Sequence, residues 1–170
     1  MNEISAGGGT GTSLSVRPLV TDDVAALLGI AARSPEAAQW WPADYQQVAR
    51  KELDGWVAEL PAAAQEREEK QLAGFLVSRT VADEMEILNL AVESSCRRRG
   101  VASRLLAAAL ARGRECGARR VSLEVRASNA GAFAFYQAFG FAQAGRRCGY
   151  YTDPPEDGLV FALQLSGNSV

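Results

Sequence analysis

No histidine occurs anywhere in the 170 residues, and that narrows the chemistry before any motif is read. Ser/His and Cys/His nucleophilic catalysis, and most catalytic zinc sites, need an imidazole. Acid–base work therefore falls to carboxylates, tyrosines, cysteines, lysines or water. Glu124 is the first candidate, a carboxylate between Leu123 and Val125. On a strand, Val121, Leu123 and Val125 share one face while Ser122, Glu124 and Arg126 share the other. Glu124 then faces a cleft or pairs with an arginine, Arg126 or Arg147. Tyr136 is the second, seven residues after Asn129. That spacing is about two helical turns, so both lie near one side of a helix. A phenol of pKa near ~10 is protonated at neutral pH and can act as a proton donor. The same ring can also serve the core beside Phe135 and Phe139.

A third feature is a loop, Arg97-Arg98-Arg99-Gly100-Val101-Ala102, followed by Ser103. It joins an apolar run of strand length, residues 87–92, to a segment over 103–116 that reads as a helix. The first N–H groups of a helix have no internal partner, and the helix dipole favours negative charge there. Gly100 lets backbone approach a ligand closely, and Ala102 does so less permissively. Arginines add charge and forked donors suited to phosphate. Cys148 has arginine neighbours that would lower its pKa, but no histidine can assist it as a nucleophile.

Composition sets outer limits. The net charge of −2 argues against a nucleic-acid binder, and the basic residues cluster between Arg97 and Arg120 and at Arg146-Arg147. That asymmetry suits a local anionic ligand better than a phosphate-tracking groove. No window approaches the ~18 apolar residues of a membrane span. The N-terminus lacks a signal-peptide pattern, so a cytoplasmic protein is expected. Three widely spaced cysteines (Cys96, Cys116, Cys148) suggest free structural thiols and neither a disulfide framework nor a metal site.

The elements follow from pattern. Residues 1–13, with Gly7-Gly8-Gly9-Thr10-Gly11-Thr12 inside, read as a flexible tail ahead of a single domain over 14–166. A strand is expected at 14–18, then a helix N-capped at Thr21-Asp22-Asp23 and running to about residue 32. A second helix runs from 43 to about 53, with Gly55 as its breaker; residues 56–60 either continue it or form a strand, the strand being favoured, and a solvated loop follows at 61–70. Strands at 72–80 and 84–92 turn at Ala82-Asp83. The helix after the basic loop buries Val101, Ala102, Leu105, Leu106, Ala109, Leu110, Gly113 and Cys116 along one arc, and Gly117 ends it. A strand at 120–125 follows, then a helix capped by Ser128-Asn129 that Gly140 stops. Strands at 141–151 and 159–165 flank a loop at 153–158. Strands alternate with helices in the middle and pair at the ends, giving a mixed α/β sheet.

Several strings at fixed separations then form a pattern. Asn89-Leu90-Ala91-Val92, the basic loop, Leu123-Glu124-Val125-Arg126-Ala127-Ser128-Asn129, Phe135-Tyr136, Phe139-Gly140-Phe141 and Arg147-Cys148-Gly149-Tyr150-Tyr151 together resemble the GNAT acyl-CoA N-acyltransferases. Within that family the chain is most similar to the bacterial ribosomal-protein-alanine N-acetyltransferases. The resemblance implies an α/β (α+β) GNAT fold, a mixed and mostly antiparallel sheet with a central splay, flanked by helices. It implies acetyl-CoA as co-substrate, lying between the strand that ends at Val92 and the strand that holds Glu124. Backbone groups around Leu90, Ala91 and Val92 would pair with the pantetheine arm, which Asn129 would also contact. Arg97 opens the loop whose N–H groups, from Arg98 and Arg99 through Gly100, Val101 and Ala102 to Ser103, would hold the pyrophosphate. Glu124 takes the place of the general base, directly or through water, and Tyr136 that of the general acid. Trp40-Trp41-Pro42 stands where an aromatic substrate wall is expected.

The implied acceptor is a protein N-terminal α-amine, with a ribosomal protein as the model partner. An α-amine of pKa near ~8 is neutral in about a tenth of molecules at pH 7, so a modest base suffices. A lysine ε-amine starts about 2.5 units higher, which costs ~3.4 kcal/mol more to deprotonate. A small-molecule amine or protein lysine is the alternative acceptor. A non-catalytic acyl-CoA-binding module is the alternative of another class, and the intact Glu124 and Tyr136 count against it. Neither nucleic acid nor membrane is expected as a partner, and the chain is read as a monomer or weak homodimer.

Overall fold

The computed structural model describes residues 14–37, 40, 42–49, 52–60 and 71–165. The expected tail at 1–13, the loop at 61–70 and Trp41 lie outside them. Seven strands, β1 (Ser15–Pro18), β2 (Asp54–Leu60), β3 (Gln71–Val81), β4 (Glu84–Val92), β5 (Arg120–Arg126), β6 (Ala142–Thr152) and β7 (Pro155–Gln164), form one sheet in the order β1-β2-β3-β4-β5-β7-β6. Every pairing is antiparallel except β4 with β5. Helices α1 (Val24–Ala32) and α2 (Pro42–Ala49) pack into one core with Val57, Phe75, Val77 and Ala91. Helices α3 (Val101–Glu115) and α4 (Ala130–Ala138) pack into the other, with Met85, Ile87, Val121, Leu123 and Phe161.

The expected apolar arc holds α3 to the sheet. Val101, Leu105, Leu106, Ala109, Leu110 and Gly113 are its buried residues, while Ala102 and Cys116 are not among them. The helix opens at Val101, two residues before the expected start. At Gly113 a Cβ would meet the Met85 sulfur at 2.6 Å, so the helix lies as close to β4 as a glycine permits. On β5 the alternation is as expected, with Val121, Leu123 and Val125 buried and the residues between them partly exposed.

Three local expectations are corrected. Thr21 is not the cap of α1: a 3-10 turn over Thr21–Asp23 precedes it, and the Asp23 carboxylate accepts from the Val20 N–H at 2.9 Å. Arg17 grips that carboxylate at 2.7 and 2.8 Å, and also Glu59 at 2.7 Å, tying the start of α1 to β1 and β2. Gly55 breaks no helix. It lies within β2, where a Cβ would sit 2.6 Å from Val48, and α2 ends at Ala49. Pairing of β2 with both β1 and β3 overrides local propensity there, and the glycine marks a close approach of the helix. Finally, β6 and β7 form a tight hairpin, with Asp153 and Pro154 as the turn in place of the longer loop. Asp157 stays within β7 because its carboxylate accepts from the Gly149 N–H at 2.7 Å and from Arg146 at 2.6 Å.

One irregularity in β4 shapes everything near the site. Ser78 on β3 pairs with Ile87, but the next residue back, Val77, pairs with Asn89, leaving Leu88 as an extra residue. Such a bulge bends the strand and re-aims its side chains. Accordingly Met85 and Ile87 pack with α3, Leu88 packs with the α1–α2 core, and Leu90 and Val92 return to the α3 side. Pairing of β4 with β5 runs from Glu84↔Arg120 to Ile87↔Leu123 and stops there. Beyond that rung the two strands part.

Gly74 allows the parted end of β4 to settle. It pairs with Val92, and a Cβ there would lie 2.7 Å from the Ala91 carbonyl oxygen and 3.1 Å from Val101. Backbone, unlike the tip of a flexible side chain, has to shift as a strand. Gly74→Ala should therefore destabilise the fold by about 1–3 kcal/mol, the usual range for overpacking. Urea denaturation measures this, and an unchanged midpoint would contradict the close approach.

Candidate active site

The fork between β4 and β5 opens into a cavity of about 710 Å³. Leu90, Ala91 and Val92 line it from β4, and Arg97, Arg98, Gly100, Val101, Ala102 and Ser103 line it from the loop and the start of α3. Asn129, Phe135 and Tyr136 contribute from α4 and its cap. Two expected residues are not among the lining residues, Arg99 and Glu124.

The loop is built to present backbone donors. A 3-10 turn over Ser94–Cys96 anchors it, with Cys96 buried and the Glu93 carboxylate accepting from the Ser94 N–H at 3.0 Å. Arg98 and Gly100 both take left-handed conformations, at φ 62° and 78°. Gly100 is the N-cap of α3 and no side chain caps the helix. The N–H groups of Val101, Ala102 and Ser103 thus begin a helix of fifteen residues with no side-chain acceptor, at the positive end of its dipole. An anion is the natural partner of that arrangement. Arg97 already holds one: its Nη2 lies 2.9 Å from the Glu36 carboxylate.

Asn129 has a structural duty beside the expected one. Its side-chain oxygen accepts from the Ala132 N–H at 2.9 Å, capping α4, which leaves the amide NH2 as the group to meet a ligand. Tyr136 is both a core ring and a wall of the cavity. It packs edge-on to Phe135 and Phe141, with centroids at 5.1 and 5.5 Å, and only 5% of its surface is exposed. Burial pushes its phenol well above the ordinary tyrosine range, so the hydroxyl stays protonated.

Glu124 sits at the apex of the fork, the first residue of β5 past the last paired rung. Of its two possible arginine partners it takes Arg147, whose Nε lies 3.0 Å from its carboxylate. Glu124 also stands near enough to Tyr150 to raise the pKa of its phenol. Arg126 is engaged elsewhere. It pairs with Glu156 at 3.4 Å and lies 4.2 Å over the Tyr151 ring, while Glu156 also accepts from the Ser128 N–H.

Sequence reasoning missed a third wall. Ser34, Glu36 and Ala37, in the connection after α1, line the same cavity. Nothing in Ser34-Pro35-Glu36-Ala37 announces this, because the contact depends on how α1 lies across the sheet. The bulge at Leu88 was equally silent: the run from Glu84 to Val92 reads as one regular strand. Among the described residues, no helix is long and apolar enough to cross a membrane, and no cluster of three or more His, Cys, Asp or Glu is placed to hold a metal.

A family model described as the acetyltransferase (GNAT) family matches residues 27–141. The chain belongs to the GNAT family. A curated relative, the [ribosomal protein bS18]-alanine N-acetyltransferase of Escherichia coli (strain K12), is 38% identical over 98 residues, 56% of this chain and 66% of the relative. The match thus spans just under two thirds of that relative's length. The crystal structure of the ribosomal-protein-S18-alanine N-acetyltransferase from Escherichia coli aligns with a TM-score of 0.73 at 27% identity, covering 93% of this chain and 99% of that one. Arabidopsis thaliana NAA60, solved in complex with acetyl-CoA, shares the fold at a TM-score of 0.82 and 21% identity, covering 90% of this chain and 99% of that one. The expected GNAT fold, with its sheet splayed at β4 and β5, is the observed one.

Gly100 offers a clean test of the loop in this GNAT chain. A Cβ there meets nothing within 4 Å, so Gly100→Ala changes only backbone conformation. Holding an L-residue in the left-handed region costs roughly 1–2 kcal/mol. An unfolding free energy lower by that amount, read from urea denaturation, is expected, and an unchanged one would show that the left-handed cap is not required.

Proposed function

We propose that this GNAT protein transfers the acetyl group of acetyl-CoA directly to an amine, and that the acceptor is a protein N-terminal α-amine of the ribosomal-protein-alanine type. One observation carries the reading: β4 leaves β5 after Ile87, and the gap opens into a cavity with the uncapped start of α3 on one side and Tyr136 on another. Backbone groups of Leu90 and Val92, left without a β5 partner, suit the amides of a pantetheine arm. The loop amides from Arg98 to Ser103 suit its diphosphate, and the Asn129 NH2 suits the chain between. Arg97 and Arg99 supply charge around the diphosphate.

The thioester then lies at the fork. There the amine nitrogen attacks the carbonyl carbon, the C–S bond breaks, and the CoA sulfur leaves as thiolate. Glu124 removes the proton from the incoming ammonium, directly or through a water, while Arg147 fixes the orientation of its carboxylate. Tyr136 donates to the departing sulfur and recovers a proton from the acylated nitrogen through water, since burial disfavours its phenolate. Most of the acceleration comes from holding thioester and amine together, since no covalent enzyme intermediate is needed. The α-amine is favoured because it needs only a modest base, and because the relatives above are named for an alanine of bS18.

Thermal shift with CoA is the first measurement. Stabilisation by about 2.7 kcal/mol is expected at a hundred times Kd, and no shift at millimolar CoA would remove the reading. Steady-state assays with N-terminal peptides, lysine peptides and polyamines then rank acceptors, with the N-terminal peptides expected to lead. Glu124→Gln and Tyr136→Phe should each lower kcat by about 10²-fold, the lower range for acid–base groups, with CoA binding retained. An undiminished kcat in either variant would remove that residue's role. On the alkaline side kcat should show no fall attributable to Tyr136 up to pH 10, because burial raises its pKa.

A further inference from the structure

The connection after α1 is clipped to the anion loop by two ion pairs of different character. Arg33 places Nε and Nη2 on one Glu93 carboxylate oxygen, at 3.1 and 2.5 Å, and Glu93 is further fixed by the Ser94 N–H and hydroxyl. That carboxylate is 11% exposed. The second pair, Glu36 with Arg97, is a single contact at 2.9 Å between side chains 38% and 45% exposed. Both of its members line the cavity, and Glu36 is the only carboxylate among the described residues that does. Ser34, between the two pairs, lines the cavity with a buried hydroxyl that has no hydrogen-bond partner. A loop suited to an anion therefore has its first arginine already holding an internal anion, Glu36, from the connection that Arg33 also ties to Glu93.

We propose that Glu36 and Arg97 form an exchangeable latch: the diphosphate of the cofactor takes Arg97 from Glu36, and residues 34–37 are released from the loop. The inference rests on the acetyl-CoA reading of the cavity. A diphosphate carries more charge and more acceptor oxygens than one carboxylate, so it wins a solvent-exposed guanidinium. Once Glu36 is released, the Arg33–Glu93 clamp still ties the connection to the loop, and the wall beside the fork is free to admit the acceptor. Cofactor binding and acceptor access are then coupled, and the coupling is reciprocal.

Simple repulsion between Glu36 and a polyanion would also weaken binding, so the test must separate it from the latch. Isothermal titration with CoA on the wild type, Glu36→Gln, Arg97→Met and the double variant does so, with pantetheine, which lacks the diphosphate, as a second ligand. Glu36→Gln should bind CoA about two- to five-fold more tightly, the range expected when an exposed ion pair no longer has to break. That gain should vanish in the Arg97→Met background and be absent with pantetheine. Hydrogen exchange of residues 34–37 should rise in the wild type on adding CoA. Equal CoA affinity in wild type and Glu36→Gln would overturn the latch alone, and so would a gain that persists without Arg97. Failure of wild type and variant alike to bind CoA would overturn the cofactor reading and the latch with it. Melting temperatures without ligand, with Glu36→Ala as a second variant, establish that the chains compared are folded.

Discussion

The β4–β5 ladder is cut short, and the site exists because of that cut. Backbone N–H and C=O groups inside a sheet are ordinarily all paired, and leaving one edge open is costly unless water or a ligand reaches it. Here the ladder ends at Ile87↔Leu123. The extra residue at Leu88 reverses which face each later side chain of β4 takes, so Leu90 and Val92 bury toward α3 while their strand leaves β5. The same displacement puts Glu124 at the point of the fork.

Packing on both sides of the sheet keeps the fork from closing. Under α3, Leu105, Leu106 and Ala109 are fully buried against Met85 and Val121. β5 is held from its other edge by β7 over the whole of Arg120 to Arg126. Phe133 of α4 packs edge-on to Phe161 of β7 at 5.2 Å, which carries α4 with that half of the sheet. β4 is meanwhile held by β3, with Gly74 letting its last residues settle near Val101. Each half of the sheet has its own partners, and neither has to move for a ligand to enter between them.

Much of this was legible in the residues themselves. The helical arc of α3 and the two-residue alternation of β5 follow from periodicity, whereas Gly100 as the left-handed cap of α3 emerges only in the structure. Of the residues the strings single out for the site, the cavity gathers all except Arg99 and Glu124 among its lining residues. What the sequence could not convey was set by contacts distant along the chain. The bulge at Leu88 depends on register with β3, Gly55 serves a strand because it pairs with Val77 of β3, and Glu36 reaches Arg97 across sixty-one positions of sequence. Glu124 had two arginines available, and only the hairpin of β6 and β7 decides for Arg147.

The account turns on whether the open edge of β4 and the uncapped start of α3 receive the cofactor together. Residue-resolved amide hydrogen exchange, measured with and without saturating CoA, reports on both at once. Protection should rise at Leu90 and Val92 and across Gly100 to Ser103, with little change at Met85 and Ile87, where the ladder with β5 is intact. Unchanged exchange at Leu90, Val92 and the start of α3 in a protein saturated with CoA would contradict it.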